Sequence, residues 1–299
     1  MQDLREASFL TPLDHVVNEA VSFLQAESLM LMTTADLQSI LALGFLESAL
    51  LDQDISYSRR ILPPNSHLPP DEDGLIPEQN GSKIFFVDPW DRVESSSENV
   101  FVLSPRAIEV EFHQSPTKRR GRVDVVLQSS AIASSLAPNG GRTKRCRPYS
   151  GCGQWLMESL DTTIDPIHTL IRDFLRDEGT ILVSPLPEIE DPSLSMLPLA
   201  SPGRLRRLQN IWSEMDASSR SQALSEYCLP LLSSDGISTA RLEELVWKRM
   251  RIPNEATDLA STLYRNLKKW PSEADAAVLH AGKLLDEILK SGRLPPSTD

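Results

Sequence analysis

The segment Ser28–Asp36, Ser-Leu-Met-Leu-Met-Thr-Thr-Ala-Asp, constrains the fold more than any other part of the chain. Leu29–Met32 alternates too little for a strand wet on one side, so it predicts a strand buried on both faces. It runs directly into Asp36–Leu51, a helix apolar almost all round, with Ile40, Leu41, Leu43, Phe45, Leu46, Ala49 and Leu50. A strand covered on both faces and followed at once by a buried helix belongs to a parallel α/β sheet. Ligands of such sheets sit just beyond the carboxyl ends of the strands. At that corner the sequence supplies Met32, Thr33, Thr34 and one carboxylate, Asp36.

The flanking segments extend the same order. Thr11-Pro12 starts a helix over 11–25, with Thr11 as N-cap and an apolar stripe of Leu13, Val16, Val17, Ala20, Phe23 and Leu24. Ile55–Leu62 alternates as a strand and is closed by Pro63-Pro64, giving helix, strand, helix, strand. Residues 63–82 read as a surface loop. Lys83–Asp88 and Asn99–Leu103 are two further short buried strands, with the polar 91–98 between them. Gly153–Leu160 opens a helix, Asp165-Pro166 caps another that ends at Gly179, and 180–183 is a short strand. The Pro-rich stretch 184–203 reads as a linker. Beyond it everything reads helical: 204–215, 217–232, 238–250, 254–269 and 272–291, with Ser238 and Ser272 as caps. The expected organisation is an α/β domain over 1–183 and a smaller, mostly helical domain over 204–299.

Charge is distributed unevenly. The chain of 299 residues carries −12 overall, a field that repels nucleic acid and anionic membrane alike. Yet residues 114–150 hold Lys118, Arg119, Arg120, Arg122, Arg142, Lys144, Arg145 and Arg147 against Asp124 alone. That surplus of seven leaves −19 on the rest. The stretch reads as a basic insertion, with a short strand at 123–127. Its cations, flanked by Gly and Ser, suit a phosphate backbone, and Tyr149 and Trp155 could stack on bases. The bland alternative is a solvated loop, or a patch that docks acidic surface. The candidate nucleic-acid contacts are Lys118, Arg119, Arg120, Arg142, Lys144, Arg145 and Arg147.

No apolar run is long enough for a membrane span, and the first residues carry neither a basic n-region nor a signal core. Three cysteines, Cys146, Cys152 and Cys228, suit a reducing compartment. A cytosolic or cytoplasmic protein with no membrane association is expected. Cys146 and Cys152 lack two further ligands at zinc spacing. Ser150-Gly-Cys-Gly reads as a tight turn, with no histidine placed in sequence to make Ser150 a nucleophile.

Taken in order, the helix, the apolar strand, Thr-Thr-Ala-Asp, the apolar helix, the second strand and Pro-Pro resemble the start of the DHH phosphoesterases. The closest branch is the archaeal RecJ-like proteins, including the GINS-associated nuclease and, more distantly, the eukaryotic replicative-helicase cofactor. The family motif His-x-Asp-Ala-Asp-Gly falls on Met32, Thr34, Ala35, Asp36 and Leu37, of which Ala35 and Asp36 match. Lys83–Asp88 resembles the strand ending in Asp-His-His, but here it ends Asp88-Pro89-Trp90. In an offset alignment the same strand is the family's earlier Asp-bearing one. Pro148–Leu156 is similar to the family's Ser-Gly-x-Gly entry to a helix, and 211–263 resembles its acidic helical segment. The C-terminal DHHA1-type region is expected to be truncated.

The resemblance implies a two-metal phosphodiesterase, normally loaded with Mn²⁺ or Mg²⁺, whose ions clamp the attacking and leaving oxygens. Only Asp36 and Asp88 survive as candidate ligands, too few for a dinuclear site. Asp36 also fits a helix cap and Asp88 a turn. The expectation is therefore a protein without catalytic residues or a metal cofactor, a degenerate RecJ-like fold kept as a binding module. By resemblance it would work in DNA replication or repair beside GINS or MCM, and would contact single-stranded DNA. The rival readings are an active metal-dependent single-strand exonuclease or phosphoesterase, and a protein scaffold with no nucleic-acid role.

Overall fold

The computed structural model describes residues 4–68, 75–76, 81–93, 97–111, 118–157, 159–162, 165–232 and 237–295. Parts of the expected loops 63–82 and 91–98, and the start of the basic stretch at 114–117, lie outside the described residues. In chain order the elements are α1 (Asp14–Leu24), β1 (Leu29–Thr34), α2 (Leu37–Asp52), β2 (Ser58–Leu62), β3 (Lys83–Val87), β4 (Val100–Leu103), β5 (Arg106–Val110), β6 (Arg119–Val123), α3 (Val125–Leu136), α4 (Gly141–Cys146) and α5 (Cys152–Leu156). There follow α6 (Ser159–Thr162), α7 (Pro166–Asp177), β7 (Leu182–Ser184), α8 (Pro202–Ile211), α9 (Ala217–Leu232), α10 (Thr239–Trp247), β8 (Arg249–Arg251), α11 (Leu259–Lys268) and α12 (Ala274–Ser291). Among the described residues no helix is long and apolar enough to cross a membrane.

The protein is α/β. Its four-stranded sheet has the order β2-β1-β3-β4, and every neighbouring pair is parallel. The register sets Leu31 opposite Arg59 on one side and Phe85 on the other. Because side chains alternate, each strand feeds two faces. One face gathers Met32, Leu62, Ile84, Phe86 and Val102 under Leu75, with Leu68, Ile76 and Val93 packed against them. On the other, Phe85 stacks on Phe101 with centroids 4.9 Å apart, and Phe23 of α1 meets them at 6.2 and 5.7 Å. Such aromatic contacts add roughly 0.5–1.5 kcal/mol each beyond burial. Both faces of Leu29–Thr34 are covered, which suits its apolar run Leu29–Met32, and the buried hydroxyls of Thr33 and Thr34 are hydrogen-bonded to the Val87 carbonyl and to Ser39.

Helix α2 is buried from Leu37 to Leu50 because β1, α3 and α12 surround it. A Cβ at Gly44 would lie 3.2 Å from Ile288 Cγ2, so the missing side chain permits the close approach of α12. Asp124 caps α3, its Oδ1 accepting the N–H groups of Val126 and Leu127 at 2.6 and 3.1 Å. A Cβ at Gly153 would stand 1.8 Å from that same oxygen.

The chain divides into two compact units, 1–156 with 269–296, and 157–268 with the last three residues. This differs from the expected boundary within 184–203. Two pairings account for it. Helix α12 packs on α2 and so rejoins the first unit. Strand β7 pairs antiparallel with β8, which ties 182–184 to the second unit. That unit is mostly helical. The Pro-rich stretch contributes only short 3-10 turns at Leu186–Glu188 and Leu194–Met196. Asp165 and Ser238 cap α7 and α10 as expected, and Gly179 ends α7's turn with φ 78°. Glu244 accepts Arg172 Nη1 at 2.5 Å and sits 3.3 Å from His168 Nε2, all three buried. Burial pushes the Glu244 carboxyl up, but His168 and Arg172 hold it below its ordinary range. Arg249 and Asp258 form a second buried pair at 3.0 Å.

Other expectations change in detail. The first helix is a 3-10 turn over Ser8–Leu13, containing Pro12, before α1 begins at Asp14. Residues 123–127 are not a strand. The strand is 119–123, and the helix begins at Val125 because Asp124 caps it. The stretch 114–150 is not an insertion either, since α3, which occupies its middle, is a core helix.

Candidate functional site at the carboxyl edge of the sheet

The chain leaves β1 for β2 on one side, then returns to place β3 on the other. The crevice between the carboxyl ends of β1 and β3 is therefore the topological switch point, where α/β sheets hold ligands. Asp36 follows β1 and Asp88 follows β3, so the fold brings together the two carboxylates singled out from the sequence.

What surrounds them is a closed hydrogen-bond network. Asp88, 1% exposed, accepts the N–H of Trp90 on Oδ1 at 3.2 Å. Its Oδ2 accepts the N–H groups of Arg92 and Val93 at 2.5 and 2.9 Å. Asp36 Oδ2 accepts the Asn65 N–H at 3.1 Å and the Trp90 indole N–H at 3.2 Å. Arg92 Nη1 then donates to Asn65 Oδ1 at 2.7 Å. From behind, the Trp270 indole donates to the carbonyl of Ala35 at 2.9 Å, and its ring meets His280 edge-on at 4.9 Å. Burial pushes the Asp88 carboxyl above its ordinary value, and the three N–H groups oppose that rise.

The local sequence explains the shape. Asp-Pro-Trp-Asp makes a turn at the strand end, with Asp88 holding the backbone two to five residues on. Asp91 closes it in the left-handed region at φ 56° and lies 3.7 Å from Arg122. Asp36 occupies the N-cap position of α2 in extended geometry, but its side chain makes no capping bond. It is a crossing point between loops, so the expected capping role is corrected. Thr34 Oγ1 instead meets Ser39 Oγ at 2.9 Å.

This donor set does not fit a dinuclear metal centre. Met32, at the place of the family histidine, is fully buried in the sheet-face cluster. Thr34 is engaged with Ser39. Among the described residues no group of three or more His, Cys, Asp or Glu is arranged to hold an ion. Asp88 already receives three N–H groups and Asp36 two. Two carboxylates engaged in this way supply too few ligands to hold a pair of ions.

The basic residues are not brought together. Lys118, Arg119, Arg120 and Arg122 are exposed on the β5–β6 ribbon, at the end of the fold where Asp91 meets Arg122. Arg142, Lys144 and Arg145 are on α4, beyond the far end of α3. Between the two groups in the chain lies α3, a buried helix of 12 residues and so about 18 Å long. Arg142 pairs with Asp52 at the end of α2 at 3.3 Å. Arg147 is 2% exposed and donates to Ser134 Oγ at 3.0 Å. It is a core residue, and its candidacy as a surface nucleic-acid contact is corrected. Tyr149 and Trp155 are also buried. Ser150 is buried against Ser130 and the Arg147 carbonyl, and all three cysteines are free and buried.

Sequence reasoning missed Asn65, Arg92, Trp270 and the role of Trp90. The turn signal at Asp88-Pro89 pointed toward Trp90. Trp270 carries no local signal, because its partner lies 235 residues away in the chain. No protein-family model matches the chain, and no curated protein matches it.

Proposed function

We propose that the chain is a non-catalytic binding module of the DHH, RecJ-like kind, which works beside protein partners of DNA replication or repair of the GINS or MCM type. One observation carries this reading. At the switch point, Asp36 and Asp88 hold the strand-end loops together through Asn65, Trp90 and Arg92, and the Trp90 ring is left 48% exposed. A fixed, half-exposed indole is the kind of aromatic anchor that concentrates binding energy at protein interfaces. A metal centre there would need its ligands free to turn inward.

Protein is favoured over single-stranded DNA as the main partner. The net charge of −12 repels a phosphate backbone, and the basic stretch is divided between two ends of the first unit. Any DNA contact falls to the exposed Lys118, Arg119, Arg120 and Arg122 of the ribbon or to the exposed Lys144 and Arg145 of α4. The rival reading is an Mn²⁺-dependent single-strand exonuclease or phosphoesterase.

Incubating purified protein with end-labelled single-stranded DNA and Mn²⁺ tests the choice. No cleavage above that of an Asp36→Ala/Asp88→Ala variant is expected. Cleavage that this double variant abolishes would overturn the reading. In a second arm, Trp90→Ala is expected to weaken binding to purified GINS or MCM subunits, with the fold unchanged by circular dichroism. Failure of the wild-type chain to bind any such subunit would remove the replication assignment.

A further inference from the structure

A cavity of about 600 Å³ opens at the other end of α2, between that helix, the segment 54–59 and α12. Its volume lies within the ordinary range of small-ligand sites. It belongs wholly to the first unit and is separate from the switch point. Asp36 and Glu47 are eleven positions apart in the sequence, on the order of 16 Å along a helix axis.

The lining is unusual in its charge. Glu47 is the one ionisable residue of α2 before Asp52, and its side chain is 1% exposed. Its Oε2 accepts the Tyr57 hydroxyl at 2.7 Å and Arg59 Nη1 at 3.3 Å. Its Oε1 is buried and has no hydrogen-bond partner among the described residues. The other arm of Arg59 donates to Asp286. Asp54 also lines the cavity and stands in the left-handed region at φ 53°. Two carboxylates, Glu47 and Asp286, therefore share one guanidinium, a third, Asp54, lines the cavity without pairing to it, and Leu51 and Leu289 supply apolar wall.

A buried carboxylate oxygen without a donor is costly. A cationic N–H donor would satisfy it and balance the surplus negative charge, while the leucines cover an aliphatic stem. We propose that this cavity receives the ammonium or guanidinium head of an aliphatic amine, with Glu47 Oε1 as its buried acceptor and Asp54 and Asp286 as its outer carboxylates. The same head group is carried by an arginine or lysine side chain of a peptide and by a free polyamine.

Saturation-transfer NMR and calorimetry on the full chain test this with four probes: agmatine, spermidine, a doubly blocked Gly-Arg-Gly peptide and neutral N-butylurea. The cations are expected to bind at one site and N-butylurea about tenfold more weakly or not at all. A blocked peptide that binds about tenfold tighter than agmatine identifies a side chain as the natural occupant, and the reverse order identifies a free amine. Glu47→Gln keeps the shape and is expected to weaken agmatine about tenfold. Asp54→Asn, at an exposed position, is expected to weaken it in the same direction. No saturable binding of any cation up to about 10 mM, well above the weak-ligand range, overturns the proposal. So does equal binding of N-butylurea, or an Asp54→Asn variant with unchanged affinity.

Discussion

Replacing Asp88 by alanine separates a structural carboxylate from a metal ligand by the sign of its effect on stability. A carboxylate kept for a metal is held among like charges when the ion is absent, so removing it stabilises the metal-free chain. Asp88 has the opposite surroundings. Its oxygens receive the N–H groups of Trp90, Arg92 and Val93 at 3.2, 2.5 and 2.9 Å. A hydrogen bond to a charged group contributes about 1.5–3 kcal/mol. Desolvation of the carboxylate outweighs these bonds as far as ionisation goes, which is why its pKa lies above the ordinary value, so the loss on truncation is set by the three N–H groups left without an acceptor, at about 1 kcal/mol each. The net loss on Asp88→Ala is expected to be about 3 kcal/mol. In a unit of this size that lowers Tm by roughly 6–12 °C, at about 2–4 °C per kcal/mol. Asp88→Asn keeps an acceptor oxygen and is expected to lose about half as much. The assay is urea unfolding at pH 7 in the presence of EDTA, followed by tryptophan fluorescence. A metal-free Asp88→Ala chain as stable as wild type, or more so, would refute the structural role given to this carboxylate.

Other perturbations probe different parts of the account. Gly153→Ala drives a Cβ to 1.8 Å from Asp124 Oδ1 and disturbs the α3 cap, so a loss of about 2–4 kcal/mol is expected in urea unfolding. Burial holds the Glu47 carboxyl above its ordinary 4.5, so the folded chain binds that proton more tightly than the unfolded one. Stability from this group is then full below about pH 4.5 and is lost as pH rises through the folded value. Glu47→Gln should flatten that part of the stability–pH curve. If single-stranded DNA binds, alanine at Arg119, Arg120 and Arg122 together should reduce the slope of log K against log salt by about 0.7 for each phosphate no longer neutralised. Arg142→Ala should leave that slope unchanged, and an equal effect at both ends would show that one DNA strand spans them.

The parallel sheet was legible because β1, β3 and β4 are short apolar runs and β2 alternates, because Pro-Pro, Asp-Pro and Ser-Pro punctuate them, and because α2 follows β1 almost at once. The caps at Asp165 and Ser238 were legible for the same local reason. Strands β5 and β8 escaped, since Arg106–Val110 and Arg249–Arg251 carry charge inside the strand and owe their state to a partner strand. The basic stretch misled because sequence proximity was read as spatial proximity. A buried α3 divides it, and Arg147 is buried with a hydrogen bond to Ser134 of that helix. The boundary in the Pro-rich stretch misled because it ignored the return of α12 to α2, a packing made over more than two hundred residues of chain. At the candidate site the two carboxylates were readable, but the groups that bind them were not. Asn65, Trp90 and Arg92 reach Asp36 and Asp88 from loops whose paths no local pattern sets.

The central claim is that the carboxyl edge of the sheet is closed by the protein's own donors. Electron paramagnetic resonance of Mn²⁺ added stepwise to EDTA-stripped protein tests it most directly. The account predicts that the signal of free aqueous Mn²⁺ grows as it does in buffer, and identically for wild type and the Asp36→Ala/Asp88→Ala variant. Loss of that signal to a tight, spin-coupled pair of ions in wild type, restored in the variant, would contradict it.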